Sequence, residues 1–203
     1  MSRAAADLLQ VLQSHRLRFF TTADLITLTG MKPSAATQAL RRLAAHHLVG
    51  RIKRGLWMNR LVQNLHPYEA VPHLKAPWPA YVSLYSALAD YGIVEEVPHL
   101  IYAVTSNRPK RYQTPLGTFQ IHHLPSRLMW GYEVRGTPQA AYLIAEPEKA
   151  FLDLAYLALT PRSALGPPHK RTKKWPLDRA KLRTYAARFQ FQPLLVYLER
   201  AGL

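Results

Sequence analysis

The chain contains no cysteine, which removes disulfide frameworks, thiolate zinc sites, iron–sulfur clusters and thiol nucleophiles together. Long apolar runs are missing as well. The longest stretch of this kind, Leu152 to Leu159, is interrupted by Asp153 and falls well short of the roughly 20 residues a bilayer span needs. At the start, Arg3 and Ala4 to Ala6 lead into an amphipathic run broken by Asp7 and Gln10, unlike the unbroken apolar segment of a secretory signal. A cytoplasmic protein with no membrane partner is expected. Also absent are a Gly-rich phosphate loop and a Gly-x-Ser-x-Gly elbow. Acidic residues are scarce: 12 Asp and Glu face 27 Lys and Arg, a formal net charge of +15. So large an excess points to a polyanion, and nucleic acid fits better than lipid, because no clear basic amphipathic helix or lipidation signal accompanies it. What is present is material for a core. Hydrophobic residues make up 48% of the 203, enough for one large domain or two small ones.

In the first third, Leu8, Leu9, Leu12 and Leu17 recur on one face of a helix over Ala4 to Leu17, closed by Arg16 and Arg18. Thr21 and Thr22 supply an N-cap for a second, short helix with Asp24 in its first turn, ending at Thr29-Gly30. Pro33 and Ser34 open a third helix after a Gly30-Met31-Lys32 turn, with Ala36, Leu40 and Leu43 sharing a face. This spacing is that of a helix-turn-helix. Val49, Ile52, Leu56 and Trp57 are strand formers split around Arg54-Gly55, which predicts a two-stranded hairpin over Leu48 to Asn59. Residues 1–63 carry ten Lys and Arg against only Asp7 and Asp24.

Four prolines, Pro67, Pro72, Pro77 and Pro79, punctuate a stretch without clean periodicity, so 64–79 is expected to be a linker. Residues 80–203 then read as a second domain. Ser83 is expected to cap a helix to Tyr91; Leu100 to Thr105 and Thr118 to Leu124 read as strands around a polar turn, with further strands over Tyr132 to Arg135 and Ala141 to Ala145. Helices are expected from Glu148 to Leu159, Asp178 to Phe189 and Pro193 to Ala201. The fold class predicted is α+β: an N-terminal winged helix-turn-helix followed by a separate mixed α+β domain.

Chemistry concentrates on the third helix. Opposite its apolar face lie Ser34, Ala35, Gln38, Arg41 and Arg42, with Thr37 beside them and Lys32 just ahead. Small residues let a helix tip enter the major groove, Gln pairs with adenine and Arg with guanine. The hairpin adds Arg51, Lys53 and Arg54 for phosphate. These ten residues form the expected DNA-binding set, and a solvated polar helix face is the alternative. Two further basic stretches, Asn107 to Arg111 and Lys170 to Lys174, read first as solvated loops and second as phosphate contacts. The pairs His46-His47 and His122-His123 lack metal-ligand spacing. Glu146, Glu148 and Asp153 suggest a nuclease-like acidic cluster, yet Glu146 and Glu148 flank a helix start, where carboxylates serve as caps. No catalytic residue, metal or cofactor is expected.

The segments Phe20 to Leu25, Ala39 to Leu43 and Leu48 to Trp57 resemble the winged helix of AbiEi-type antitoxins of type IV toxin–antitoxin systems, which act in phage defence. Tyr81 to Leu88 before Gly92, and Glu146 to Leu154, are similar to two segments of that family's C-terminal domain. The resemblance implies a transcriptional autorepressor binding the operator of its own promoter. It also implies an antitoxin that counters a nucleotidyltransferase-like toxin, directly or indirectly. A basic loop at 167–175 matches no family segment. The alternative is a plain winged-helix regulator whose second domain serves dimerisation or ligand sensing.

Overall fold

The computed structural model describes residues 3–94, 100–161, 163–166, 168 and 175–203; the basic run 170–174 lies outside them, as does most of the loop 167–175. The protein is a mixed α+β structure. Its first helix, α1 (Arg3–Ser14), buries Ala5, Leu8 and Leu12 at helical spacing. Next comes a strand that periodicity did not disclose, β1 (Phe19–Thr21), three residues being too short to show a period of two. Thr21 ends it and caps α2 (Thr22–Thr29): its hydroxyl accepts from Asp24 N–H at 3.0 Å while Asp24 accepts from Thr21 N–H at 2.7 Å. Gly30 closes α2 in the left-handed region at φ 66°, donating to Ile26 C=O. Pro33 begins α3 (Pro33–Ala45), which buries Ala36, Ala39, Leu40 and Leu43. Strands β2 (Val49–Lys53) and β3 (Leu56–Asn59) follow around Arg54-Gly55, and the sheet order is β1-β3-β2, all antiparallel.

Every residue of β3 is buried. Trp57, with Phe20 and Val49, packs into the core of α1, α2 and α3. Leu56 and Met58, with Phe19 and Ile52, point to the other face and join the core of the second half. Gly50 is required here, since a Cβ on it would lie 2.9 Å from Met58 Cγ.

What covers that second face is the stretch expected as a linker. Residues 64–79 instead contain a 3₁₀ turn (Pro67–Glu69) and helix α4 (Ala70–Lys75), with Tyr68, Ala70, Val71 and Leu74 buried. Proline misled the reading: Pro67 sits at the first position of its turn, where the missing N–H costs nothing, and Pro72 falls within the first turn of α4. Arg18 clamps the junction. Its Nε and Nη2 donate to the two Glu69 carboxylate oxygens at 2.6 and 2.8 Å, and Nη2 also donates to Asn64 C=O. Glu69 accepts a further bond from His66 N–H, and Phe19 stacks on His73 at 5.3 Å. The halves are therefore joined through a shared core.

The second sheet has six strands, β4 (Ala80–Val82), β5 (Leu100–Thr105), β6 (Lys110–Thr114), β7 (Gly117–His123), β8 (Tyr132–Arg135) and β9 (Tyr142–Ala145), in the order β6-β7-β5-β4-β9-β8. β5 and β7 were expected around a polar turn, but they run parallel, and the intervening segment forms edge strand β6, antiparallel to β7. Alternation sends Tyr81 to one face and Tyr112 to the other: the first hydroxyl meets Asp153 of α6 (Pro147–Leu159), the second donates to Leu74 C=O of α4. Helix α6 also packs against α5 (Leu84–Asp90), α7 (Arg179–Phe189) and α8 (Gln192–Ala201). The layers thus run helices, small sheet, α4, large sheet, helices.

A fragment of residues 1–63 would expose Phe19, Ile52, Leu56 and Met58, so it should show no cooperative urea transition in Trp57 fluorescence. Sharp, two-state unfolding of that fragment would refute the shared core. In the full chain, Arg18→Ala strands the buried Glu69 carboxylate and should cost about 3 kcal/mol, read from chemical denaturation, because breaking one side of a buried pair leaves a lone charge.

Candidate nucleic-acid interface

Helix α3 divides cleanly. Ala36, Ala39, Leu40 and Leu43 face the core, while Ser34, Gln38, Arg41 and Arg42 are exposed, with Lys32 exposed at the N-cap. Ala35 and Thr37 are half-buried, and the Thr37 hydroxyl is turned back onto Pro33 C=O at 2.8 Å. Lys32 makes no side-chain cap bond, so the donors of the first turn have no capping oxygen from it.

On the hairpin, β2 shifts register between Arg51 and Lys53, where Ile52 is the extra residue opposite β3. Such a bulge bends and twists the strand. Gly55 permits the two-residue turn at φ 78°. Arg51 and Arg54 are exposed. Among the described residues, Lys32, Arg41, Arg42, Arg51 and Arg54 take part in no ion pair. Lys53 differs from its strand neighbour Arg51: half-buried, its ammonium donates to Leu74 C=O at 2.8 Å. Burial, and after it the ammoniums of Lys75 and Lys110, pull the Lys53 pKa below its ordinary value. Of the ten residues expected at the interface, seven are exposed on α3 and the hairpin; Ala35, Thr37 and Lys53 are partly covered.

The acidic residues go elsewhere. Glu146 accepts from Tyr185 Oη at 2.6 Å and pairs with Lys181 at 3.1 Å. Burial works to raise its carboxyl, but these bonds and the Lys181 charge outweigh it and hold the pKa below the usual range. Glu148 accepts from Asp178 N–H at 3.0 Å, fastening the entry to α7. Asp153 is fully buried and bonded to Lys149, to Tyr81 Oη at 3.0 Å and to Ser83 Oγ at 2.8 Å; Lys149 also donates to Tyr81 Oη at 2.8 Å. Ser83 does stand at the N-cap position of α5, yet its hydroxyl serves Asp153 and makes no cap bond. The i,i+4 spacing of Lys149 and Asp153 was the legible signal for this pair. Burial lowers the Lys149 pKa and raises that of Asp153, against their mutual attraction. The three carboxylates therefore share no open face.

His46 and His47 are exposed at the end of α3; His123 Nδ1 lies 3.1 Å from Asn107 C=O, and His122 Nε2 is a buried atom without a hydrogen-bond partner among the described residues. Among the described residues no three His, Asp or Glu side chains converge as metal ligands would. An open cleft of about 470 Å³ is lined by Leu12, Arg16, Arg18, Asn59 and Gln139. Its Arg18 is already held by Glu69.

Lys149→Met should cost about 3–5 kcal/mol, since it leaves Asp153 charged and unpaired in the core, whereas Lys149→Met with Asp153→Leu should recover much of that loss. At about 2–4 °C per kcal/mol for a protein of this size, thermal melts resolve the difference. Equal destabilisation by the single and double variants would contradict a desolvated pair. The chain was compared with protein-family models and with curated proteins, and no match was found in either.

Proposed function

We propose that this protein is a sequence-reading duplex-DNA regulator of its own promoter, with residues 1–63 acting as a winged helix-turn-helix, and that it serves as the antitoxin of a type IV toxin–antitoxin pair. Support for the DNA-binding part comes from one arrangement: α3 presents Gln38, Arg41 and Arg42 on a single exposed face, flanked by Arg51 and Arg54 of a bulged hairpin, and none of these cations has an ion-pair partner among the described residues. Side chains held in place without a carboxylate remain available to base edges and phosphates. Helix order, with α2 and α3 separated by a turn on Gly30, suits insertion of α3 into the major groove.

The antitoxin part rests on the resemblance of Tyr81 to Leu88 and Glu146 to Leu154 to that family. It is tested first by whether a nucleotidyltransferase-like protein is encoded beside it, and then by co-expression of the two. Growth restored by the full chain supports the role; unrelieved arrest would leave a plain regulator.

Base-reading and phosphate-holding residues should separate in binding titrations on duplexes from the upstream promoter and on scrambled duplexes. Gln38→Ala and Arg42→Ala should each cost about 1–3 kcal/mol on the operator and narrow its advantage over random DNA. Arg51→Ala and Arg54→Ala should weaken both duplexes alike and lower the salt slope by about 1 each. Unchanged operator preference in both helix variants would remove α3 as the reading element.

A further inference from the structure

The large sheet ends in two edges of different character. At one end β6 presents Lys110 and Arg111 side by side, both exposed, and like charges on an edge discourage pairing with another strand. At the other end stands β8, four residues long. Its two charges are opposite in sign, Glu133 and Arg135, with side chains 46% and 32% exposed. Between them Val134 is 67% exposed, the highest figure for a large exposed hydrophobic among the described residues.

Strand phase directs the backbone of this edge. Gly131 C=O accepts from Glu146 N–H at 3.0 Å, and with Tyr132 opposite Ala145 and Val134 opposite Leu143, the hydrogen-bonded pairs with β9 fall at Glu133 and Arg135. The N–H and C=O of Tyr132 and Val134 therefore point away from the sheet. Among the described residues nothing bonds to them. The charged side chains are held in place: Arg135 Nε donates to Glu133 Oε1 at 2.8 Å, Arg135 Nη1 pairs with Asp90, and Tyr91 Oη donates to Glu133 Oε1 at 3.1 Å. Glu133 Oε2 and Arg135 Nη2 keep no partner among the described residues.

A second copy of β8 complements all of these groups at once. Where two antiparallel copies meet across a two-fold axis at Val134, each Val134 N–H donates to the other's C=O, and each Glu133 lies directly opposite the other copy's Arg135. Repulsion within a population of chains carrying +15 opposes self-association over most of the surface. At this edge Asp90 and Glu133 outnumber Arg135, so the local field does not.

We propose that this protein pairs with a second copy of itself through β8, joining two six-stranded sheets antiparallel across Val134 into one. The pairing requires no DNA and holds whether or not α3 reads a duplex. A four-residue edge buries less than the roughly 800 Å² per partner of a standard complex, so the dimer is weak and reversible.

Sedimentation equilibrium of the full chain without DNA, at concentrations up to about 1 mM where a weak affinity registers, tests the pairing. The average mass should rise from 23.1 kDa toward twice that value. Val134→Pro should hold it at the monomer, since proline is tolerated on an edge strand where the N–H faces outward, and it removes the donor at the axis. Glu133→Arg alone and Arg135→Glu alone each set like charges across both pairs, and each should weaken association by about tenfold or more. Mixing these two variants restores opposite charges and should return it. Lys110→Ala with Arg111→Ala on β6 should leave association intact, and thermal melts check that every variant keeps its fold. Monomer mass at every concentration, or association retained by a folded Val134→Pro chain, would overturn the proposal. So would a mixture of the two charge variants no more associated than either alone, a comparison that needs no proline variant.

Discussion

Strand β3 buries Leu56 and Met58 on one face and Trp57 on the other, and that double burial is what the rest of the arrangement depends on. A sheet covered on both sides needs a layer on each, so α1 to α3 supply one and α4 with the larger sheet supplies the other. The Arg18–Glu69 pair sits at this seam, where Glu69 accepts from Arg18 twice and from His66 N–H. Because both oxygens are satisfied, the buried carboxylate is held at far lower cost than it would be alone. The consequence is a fixed geometry. Because α1 to α3 join the second half through a common core and not through a flexible tether, the basic edge of β6 has a set place beside the hairpin.

Much of the first half was legible because its signals are local. The Thr21–Asp24 capping box, Gly30 after α2 and Pro33 at the start of α3 each act within a few residues, and the polar face of α3 follows directly from helical period. What stayed hidden needed information from elsewhere in the chain. β1 and β4 are three residues long, below the length at which alternation speaks. β6 is polar, and only pairing with β7 makes Lys110 to Thr114 a strand. The consecutive apolar residues Leu56, Trp57 and Met58 did carry a usable sign, since a half-solvated hairpin should alternate and this strand does not. Read that way, it asks for a covering layer, and the neighbouring 64–79 segment is the one that answers.

The segments that carry the family resemblance in the second half meet in space. Tyr81 and Ser83 come from one, Lys149 and Asp153 from the other, and all four share a buried hydrogen-bonded network, with the Lys149 ammonium also near the rings of Trp130 and Phe189. Buried polar residues of this kind specify how a core is arranged. A likeness carried by them bears on architecture and does not by itself carry an activity.

Net charge is similarly a statement about distribution. Among the described residues, the ion pairs use Glu69, Asp90, Glu133, Glu146, Glu148 and Asp153, all beyond residue 63. Of the two acids within 1–63, Asp24 is committed to the α2 cap and Asp7 pairs with no cation among the described residues. Arg18 is neutralised across the seam, while no described carboxylate pairs with Arg41, Arg42, Arg51 or Arg54. At physiological salt the screening length is about 8 Å, so the +15 total cannot act on a partner as a whole. Only cations grouped within that reach act together, and the grouping here is made by the fold: one set on α3 and the hairpin, and a second where β2, α4 and β6 converge.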